Sequence, residues 1–464
     1  MGSAPCRSLY RLEVIAAEAS ALPHAHPAPT VRVGLLGCGN VGAALAEILL
    51  TRSEDIAART GIRLELVGIA VADPERARPV AIPAGILGSD AAALVARTDV
   101  DVVVEVIGGL HPAHELIEAA LRNGKPVITA NKALLAVAGA ELAEVAASAG
   151  VDLLYEAAVA GAIPVIRPLR ESLAGEQIVR VMGIVNGTTN YILTRMEEEG
   201  VSYDEVLREA QDLGLAEKDP TADVDGHDAA AKAAILAALA FGSDVVDADV
   251  YREGISGISA ADVAYASRLG YSVKLLAIAE LIDGGPEMSV RVHPAMVPKT
   301  HPLASVRGAF NAVFVEGAVS GELMLYGRGA GGGPTASAML GDLVDASRNL
   351  LAGAPAPAPK RTSVTVFSQS DMHSAFYLSL DVADRPGVLA AVAKIFGDHD
   401  VSIRAMEQVG LAEEARLIFL THVAREGDLL ATIDELRRYQ AVDRVSGVLR
   451  VIGETDDDER GGLS

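Results

Sequence analysis

Only two cysteines, Cys6 and Cys38, occur in 464 residues. Their spacing suits neither a zinc site nor a disulfide framework, which points to a reducing, cytoplasmic setting. Basic residues are also scarce. Thirty-nine lysines and arginines stand against 62 acidic residues, a formal charge of −23. Nucleic acid and anionic membranes are bound by basic surfaces, so neither is expected as a partner. No apolar run approaches the roughly 20 residues that span a bilayer; the longest, 233–242, has the length of a core helix. Cys6 breaks the myristoylation pattern, and Glu13 and Glu18 interrupt any signal-peptide core. Residues 1–29, rich in alanine, proline and serine, read as a flexible extension in which His24 and His26 carry no metal expectation.

What is present suggests about three domains, at roughly 150 residues each. A β-rich run from Val31 leads into Gly37, Cys38, Gly39, Asn40, Val41 and Gly42, followed by a helical pattern to Leu50. Strand, glycine turn and helix is the context in which this spacing binds a dinucleotide. The first glycine allows a tight turn, the second admits the pyrophosphate, the third lets helix and strand pack, and the helix start attracts the anion. A second strand from Leu64 ends near Asp73, Arg76 and Arg78. An acidic residue here suits the ribose of NAD and arginines suit the 2′-phosphate of NADP; the arginines tilt the expectation to NADP. A strand from Asp101 ends in Gly108 and Gly109, ahead of His111 and His114, which read as surface or capping residues. A further strand from Lys125 ends at Asn131 and Lys132. Ligands collect at such carboxyl ends, so Lys132 is a site candidate.

The middle of the chain reads as a second sheet. A strand over 151–156 ends in Glu156 and runs into a turn containing Val159, Gly161 and Ile163. A carboxylate beside a glycine-containing turn can offer several oxygens to one hard cation, or can simply be a turn. The strand 178–185 ends in Asn186, Gly187, Thr188, Thr189 and Asn190, polar groups suited to substrate contact or to helix capping. Helix is expected over 251–269 and 272–280, strands near 289–293 and 310–316, and a glycine-rich turn over 323–335 opening a helix to Asn349. This turn lacks the lysine of a P-loop, which excludes that class of ATPase.

Residues 211–232 are the chemical focus. Glu217, Lys218, Asp219, Asp223, Asp225, Asp228 and Lys232 precede an alanine-rich apolar run. Burying ions costs several kcal/mol each unless they are paired or used. Asp228 and Lys232 fall on one helix face, with Asp225 read as the N-cap. A capped helix with a surface ion pair is the bland alternative. The apolar continuation argues that the first-turn charges face a site instead.

These stretches, with Thr129–Leu135, Tyr155–Pro164, Gly183–Tyr191 and Gly214–Lys232, resemble homoserine dehydrogenase of the form carrying a C-terminal ACT domain, over about 31–455. The resemblance implies an α/β chain with a Rossmann-type nucleotide-binding domain over 30–155 to which 325–350 returns. It implies an α+β substrate and dimerisation domain over 156–324, a linker over 351–371, an ACT domain over 372–455 and a disordered acidic tail over 456–464. It implies reversible hydride transfer between L-homoserine and L-aspartate 4-semialdehyde with NAD(P), in a homo-oligomer. Lys232 and Lys132 would be the site lysines, with Glu217, Asp223, Asp228 and Thr188 on the substrate. Gly37, Gly39, Asn40, Val41, Gly42, Lys132, Gly214 and Gly331 would meet the cofactor. Glu156 and the carbonyls of Val159, Gly161 and Ile163 would hold sodium. Lys218 is a departure from some relatives. Residues 374–455 also carry a ferredoxin-like strand–helix–strand–strand–helix–strand pattern by their own periodicity. Asp384, Gly387 and Val388 match the ACT signature, which implies threonine as effector; a dimerisation module without ligand is the alternative. A reductase of another amino-acid semialdehyde and a non-catalytic amino-acid sensor compete with the main reading.

Overall fold

The computed structural model describes residues 28–453 except 283, 356–361, 363, 412 and 413. The expected N-terminal extension up to residue 27 and the acidic tail lie outside the described residues.

The nucleotide half is built on a parallel sheet. Its spatial order is Leu87–Gly88, Arg63–Ala70, Thr30–Leu36, Val102–Glu105, Val127–Thr129 and Leu153–Leu154. Strands covered on both faces are apolar throughout, and Val102–Glu105 is buried at every residue. Alternation sends the side chains two ways. Val102, Val104, Ile128 and Leu154 join one core with Met339 and Leu343. Leu36, Val103, Val127 and Leu153 join another with Leu116 and Ile117. Met339 and Leu343 belong to the helix Gly332–Ala352, so the chain returns here to cover the nucleotide sheet.

The middle sheet runs, in space, Gly321–Arg328, Phe310–Gly317, Ile178–Ile184, Tyr271–Leu281 and Glu287–Pro298, with antiparallel neighbours. Three expectations fail here. Residues 272–280, read as helix, form a strand. Leucine and alanine favour helices, but burial on both faces erases the period by which helix and strand are told apart. Of 251–269 only Ala260–Arg268 is helical, while Tyr251–Arg252 pairs as a strand. Much of the expected turn at 323–335 is strand, Gly321–Arg328.

The C-terminal module adds Val442–Val451, His373–Ala383, Glu414–Thr421 and Ile403–Leu411, in that spatial order. Two helices, Val388–Asp398 and Glu426–Arg438, cover one face through Leu378, Val392, Phe396, Phe419 and Ile433. The other face, Ala375, Tyr377, Ile418, Leu420 and Leu449, packs into the middle domain's core. The two sheets are continuous: Ala295 and Met296 pair in parallel with Arg450 and Val451. Among the described residues no helix is long and apolar enough to cross a membrane.

Candidate active site

The glycine turn has the expected shape for specific steric reasons. Gly37 sits at φ 98°, and a Cβ there would lie 2.7 Å from the Val106 carbonyl oxygen. A Cβ on Gly42 would lie 2.4 Å from the Gly37 oxygen, so the helix Asn40–Thr51 starts against the strand end only because both residues are glycine. Gly39 differs: nothing lies within 4 Å of its Cβ position. Two residues seal the neighbourhood, and the third opens onto space at a helix start that no side chain caps. An open, uncapped helix start of this shape suits a diphosphate. The second glycine-rich stretch closes it. A Cβ on Gly332 would come 2.8 Å from Asn40 Oδ1, which brings Gly331 and its helix start beside the first turn.

The acidic residue at the end of the second strand turns inward on its own loop, with Asp73 Oδ1 accepting from Glu75 N at 3.0 Å. Arg78 is anchored across that loop. Its guanidinium donates to the carbonyls of Asp73 (2.6 Å), Arg76 (2.6 Å) and Pro74 (3.0 Å), while its buried Nε has no partner among the described residues. Burial raises the Cys38 thiol pKa in the glycine turn, and neighbouring Arg78 counters the rise.

Lys132 heads the helix Lys132–Ala149, whose N-cap is Asn131 through a 3.2 Å bond from Leu134 N. Glu105, not singled out from sequence, fixes this strand end. Fully buried, it accepts from Ile107 N, Gly108 N and Thr129 Oγ1 at 2.6–3.0 Å. A lone glutamate ending an apolar strand was the available signal.

Lys232 and Asp228 project from the helix His227–Phe241. Asp225 is not its N-cap. Gly226 takes that position at φ 83°, and the acidic loop folds into a short helix, Thr221–Val224. Asp225 could cap only in extended backbone, whereas the chain turns left-handed just before the helix. The geometry then converges. Lys232 Nζ donates to Asp228 Oδ2 and to the Val185 carbonyl, both at 2.7 Å. Lys132 Nζ, from the nucleotide half, lies 3.0 Å from Asp228 Oδ1. Asn186 Nδ2 donates to Asp228 Oδ2 at 2.9 Å and to Asp223 Oδ1 at 2.7 Å. Thr188 Oγ1 donates to the Leu215 carbonyl at 2.8 Å. Glu217 is exposed on the loop rim, and its charge favours the ammonium form of Lys132. Gly214, at φ 71°, ends the preceding turn and is exposed. Lys218 also points to solvent.

Electrostatics separates the two carboxylates. Burial would raise Asp228, but the ammonium groups of Lys232 and Lys132 overcome it and hold the carboxyl well below its ordinary range. Asp223 ends above that range because burial outweighs the help of Asn186, and the negative Asp228 adds to the rise. Lys132 is raised, chiefly by Asp228. An ammonium group has three N–H donors. Lys232 spends two on protein and, among the described residues, keeps one, in a position only 10 % exposed. A buried cation with one donor to spare, joined through Asp228 to Lys132 of the nucleotide half, can place a proton on an oxygen whose carbon exchanges hydride.

Glu156 belongs to a separate constellation. Its carboxylate accepts from Val165 N (2.6 Å), Ile166 N (2.8 Å) and Arg167 N (2.9 Å). Asp342, on the returning helix, accepts from Glu156 N at 2.8 Å, and burial pushes its carboxyl up to about 7. The carbonyls of Val159, Gly161 and Ile163 accept no hydrogen bond among the described residues. His111 pairs with Glu115 at 2.6 Å and His114 approaches Glu141 at 3.5 Å, so the two histidines face different partners. No group of three or more histidine, cysteine, aspartate or glutamate residues among those described could hold a metal ion.

Three family models match the chain. They are "Homoserine dehydrogenase, NAD binding domain" over 37–156, "Homoserine dehydrogenase" over 164–344 and "ACT domain" over 376–440. A homoserine dehydrogenase of Corynebacterium glutamicum is 49 % identical over 433 residues, covering 92 % of this chain and 97 % of that one. The solved structure of a homoserine dehydrogenase from Thiobacillus denitrificans superimposes with a TM-score of 0.85 at 41 % identity, covering 91 % of this chain and 98 % of that one. A hyperthermophilic archaeal homoserine dehydrogenase, solved in complex with NADPH, matches with a TM-score of 0.59 at 29 % identity over 69 % of this chain and 98 % of its own.

Proposed function

The chain belongs to the homoserine dehydrogenase family, a family of oxidoreductases, and from that premise we propose a specific reaction and a division of labour among its residues. The reaction is the reversible interconversion of L-aspartate 4-semialdehyde and L-homoserine, in the biosynthesis of threonine, methionine and isoleucine. The observation that carries it is the spare donor of Lys232, held between Val185 and Asp228. In the reducing direction Lys232 gives its proton to the aldehyde oxygen as the carbon is reduced. Asp228 stays anionic and keeps Lys232 and Lys132 aimed at one point. Lys132 bridges from the nucleotide half and orients the substrate against the cofactor edge. Glu217, Asp223 and Thr188 receive the polar end of the amino acid, whose ammonium group suits the two carboxylates. The nicotinamide cofactor supplies or accepts the hydride when bound. Gly37, Gly39, Asn40, Val41, Gly42, Gly214 and Gly331 would hold it.

NADP is the preferred form on this reading. Arg78 supports it, as a guanidinium held at the end of the second strand beside Cys38 of the glycine turn, while Asp73 is occupied by its own loop. Arg78→Ala should lower kcat/KM with NADPH about tenfold and leave NADH nearly unchanged; equal losses with both would refute the assignment. A monovalent cation, sodium, is assigned to Glu156 and the carbonyls of Val159, Gly161 and Ile163. The support is three backbone oxygens with no described donor beside a buried carboxylate. Threonine is the proposed effector, at the loop of Asp384, Gly387 and Val388, where Gly387 turns left-handed at φ 91° into a helix start. A homo-oligomer is supported by the edge strand Gly321–Arg328, which leaves Leu323 and Tyr326 40 % and 53 % exposed.

The test is NADPH consumption with L-aspartate 4-semialdehyde, repeated with threonine and with sodium replaced by a large organic cation. Consumption is expected, lowered by threonine and by the replacement. Absence of consumption refutes the reaction. Indifference to either addition refutes only that assignment.

A further inference from the structure

Asn186 makes two kinds of contact, and only one is explained by local structure. Its Oδ1 accepts from Thr189 N at 2.9 Å and from Thr189 Oγ1 at 3.0 Å, capping the helix Gly187–Glu199. Capping requires an oxygen, which serine or aspartate would supply equally well. The carboxamide nitrogen is the surplus. Nδ2 donates one hydrogen to Asp223 Oδ1 and the other to Asp228 Oδ2. Asp223 and Asp228 belong to different helices, and Asn186 to the end of a sheet strand. The residue is 5 % exposed, so water does not readily replace it.

The two bridged groups are unequal. Asp228 has two lysines of its own at 2.7 and 3.0 Å. Asp223 has no lysine within salt-bridge distance among the described residues. Asn186, the Thr188 hydroxyl and the more distant charge of Lys232 favour its ionised form, against burial and the negative Asp228. Lys132 faces it across the cleft, and Glu217 faces the same lysine from the loop rim. We infer that Asn186 is a positioning residue whose amide N–H groups bridge Asp223 to Asp228 and fix Asp223 as the carboxylate that receives the substrate's ammonium group. Without the bridge Asp223 has only the nearby Thr188 hydroxyl, whose one hydrogen goes to the Leu215 carbonyl, against burial and a like charge, and protonation is its easiest relief. A protonated Asp223 cannot pair with an ammonium ion.

The inference rests on the homoserine reaction proposed above. Its test uses Asn186→Ser and Asn186→Asp in the full chain, both of which retain a capping oxygen. Homoserine oxidation is followed from pH 5 to 9. For Asn186→Ser the acid limb of kcat/KM should move up by about one unit, and KM for homoserine should rise up to about tenfold on that limb and little at high pH. The KM for NADP and the kcat at high pH should stay within a few-fold of the unaltered chain. Asn186→Asp, with a third carboxylate, should show the larger shift. A profile for Asn186→Ser that superimposes on the unaltered one, or a pH-independent loss of kcat at constant KM, would overturn the inference.

If the unaltered chain oxidises no homoserine, the reaction is refuted, and a substrate-free measurement decides the fate of the bridge. A buried carboxyl raised above its unfolded value penalises the fold increasingly as pH rises past that value. Losing the bridge enlarges the penalty. The thermal-midpoint gap between Asn186→Ser and the unaltered chain should therefore widen between pH 4 and 7. A constant gap would reject the bridge.

Discussion

Two buried cations can be compared directly. Arg450, 5 % exposed, lies where the C-terminal module meets the middle sheet; Lys232, 10 % exposed, lies in the candidate active site. Arg450 is clamped at all three of its guanidinium nitrogens. It donates to both oxygens of Glu426 at 2.7 and 2.8 Å and to Glu253 at 2.9 Å, and its guanidinium packs near the rings of Tyr251 and Phe376. Burial opposes its charge, but Glu426, Glu253 and Tyr251 raise it further above the usual guanidinium range. Glu253 in turn accepts from the Tyr251 hydroxyl, whose own pKa burial raises to about 12. Lys232 is short of one partner, and its carboxylate is shared with a second lysine and an amide. The difference teaches that burial and pairing alone do not mark a reactive site. An ion cluster whose planar cation is fixed through every nitrogen, with its main carboxylate shared with no second cation, is a joint. One with a donor in reserve, and a neighbouring carboxylate above its ordinary range, is equipped for chemistry.

The comparison breaks most visibly at Lys232. Lys232→Ala should lower kcat by at least ~10²–10⁴-fold, the usual worth of a general acid. NADPH binding by fluorescence titration should survive. Retained turnover would make Lys232 a joint like Arg450. The reciprocal change is Arg450→Met. It leaves Glu426, 1 % exposed, as an unpaired buried charge, which costs about 3–5 kcal/mol. A large fall in the denaturant midpoint is expected, with kcat per folded molecule nearly intact. A fall in kcat without loss of stability would give the junction a catalytic part. The smallest effect concerns Asp342. A carboxyl raised to about 7 stabilises the fold only while protonated, so its contribution is lost as pH climbs from about 4 through 7. Asp342→Asn removes that titration. Its thermal midpoint relative to the unaltered chain should improve by a few degrees between pH 5 and pH 8; a gap unchanged with pH would show that Arg167, 3.1 Å away, already neutralises the group.

Much of this was legible in the residues, for identifiable reasons. The glycine turn was legible because sterics demand glycine at Gly37 and Gly42, and the C-terminal pattern because alternating strands and amphipathic helices differ in period. Asp228 and Lys232 were legible as an i,i+4 pair, and their contact is made. The strand Tyr271–Leu281 was not, because a fully buried run of leucine, isoleucine and alanine has no exposed side to set a period. The second use of Asn186 was hidden by its first: the capping signal is local, whereas Asp223 and Asp228 arrive 37 and 42 residues later. Arg450 gave no sign at all, since its partner Glu253 lies 197 residues away and only the joined sheets bring them together.

The join between Ala295–Met296 and Arg450–Val451 has a mechanical consequence. The C-terminal module is seated by a sheet, a buried arginine and a shared core. The chain just ahead of it is fastened too: Thr362 N donates to the Gly242 carbonyl at 2.7 Å, and Thr365–Val366 pairs in parallel with Glu287–Met288. Among the described residues no hinge is left between the two: lifting the module away would break ladder, clamp and core together, so the pair should come apart in a single cooperative step.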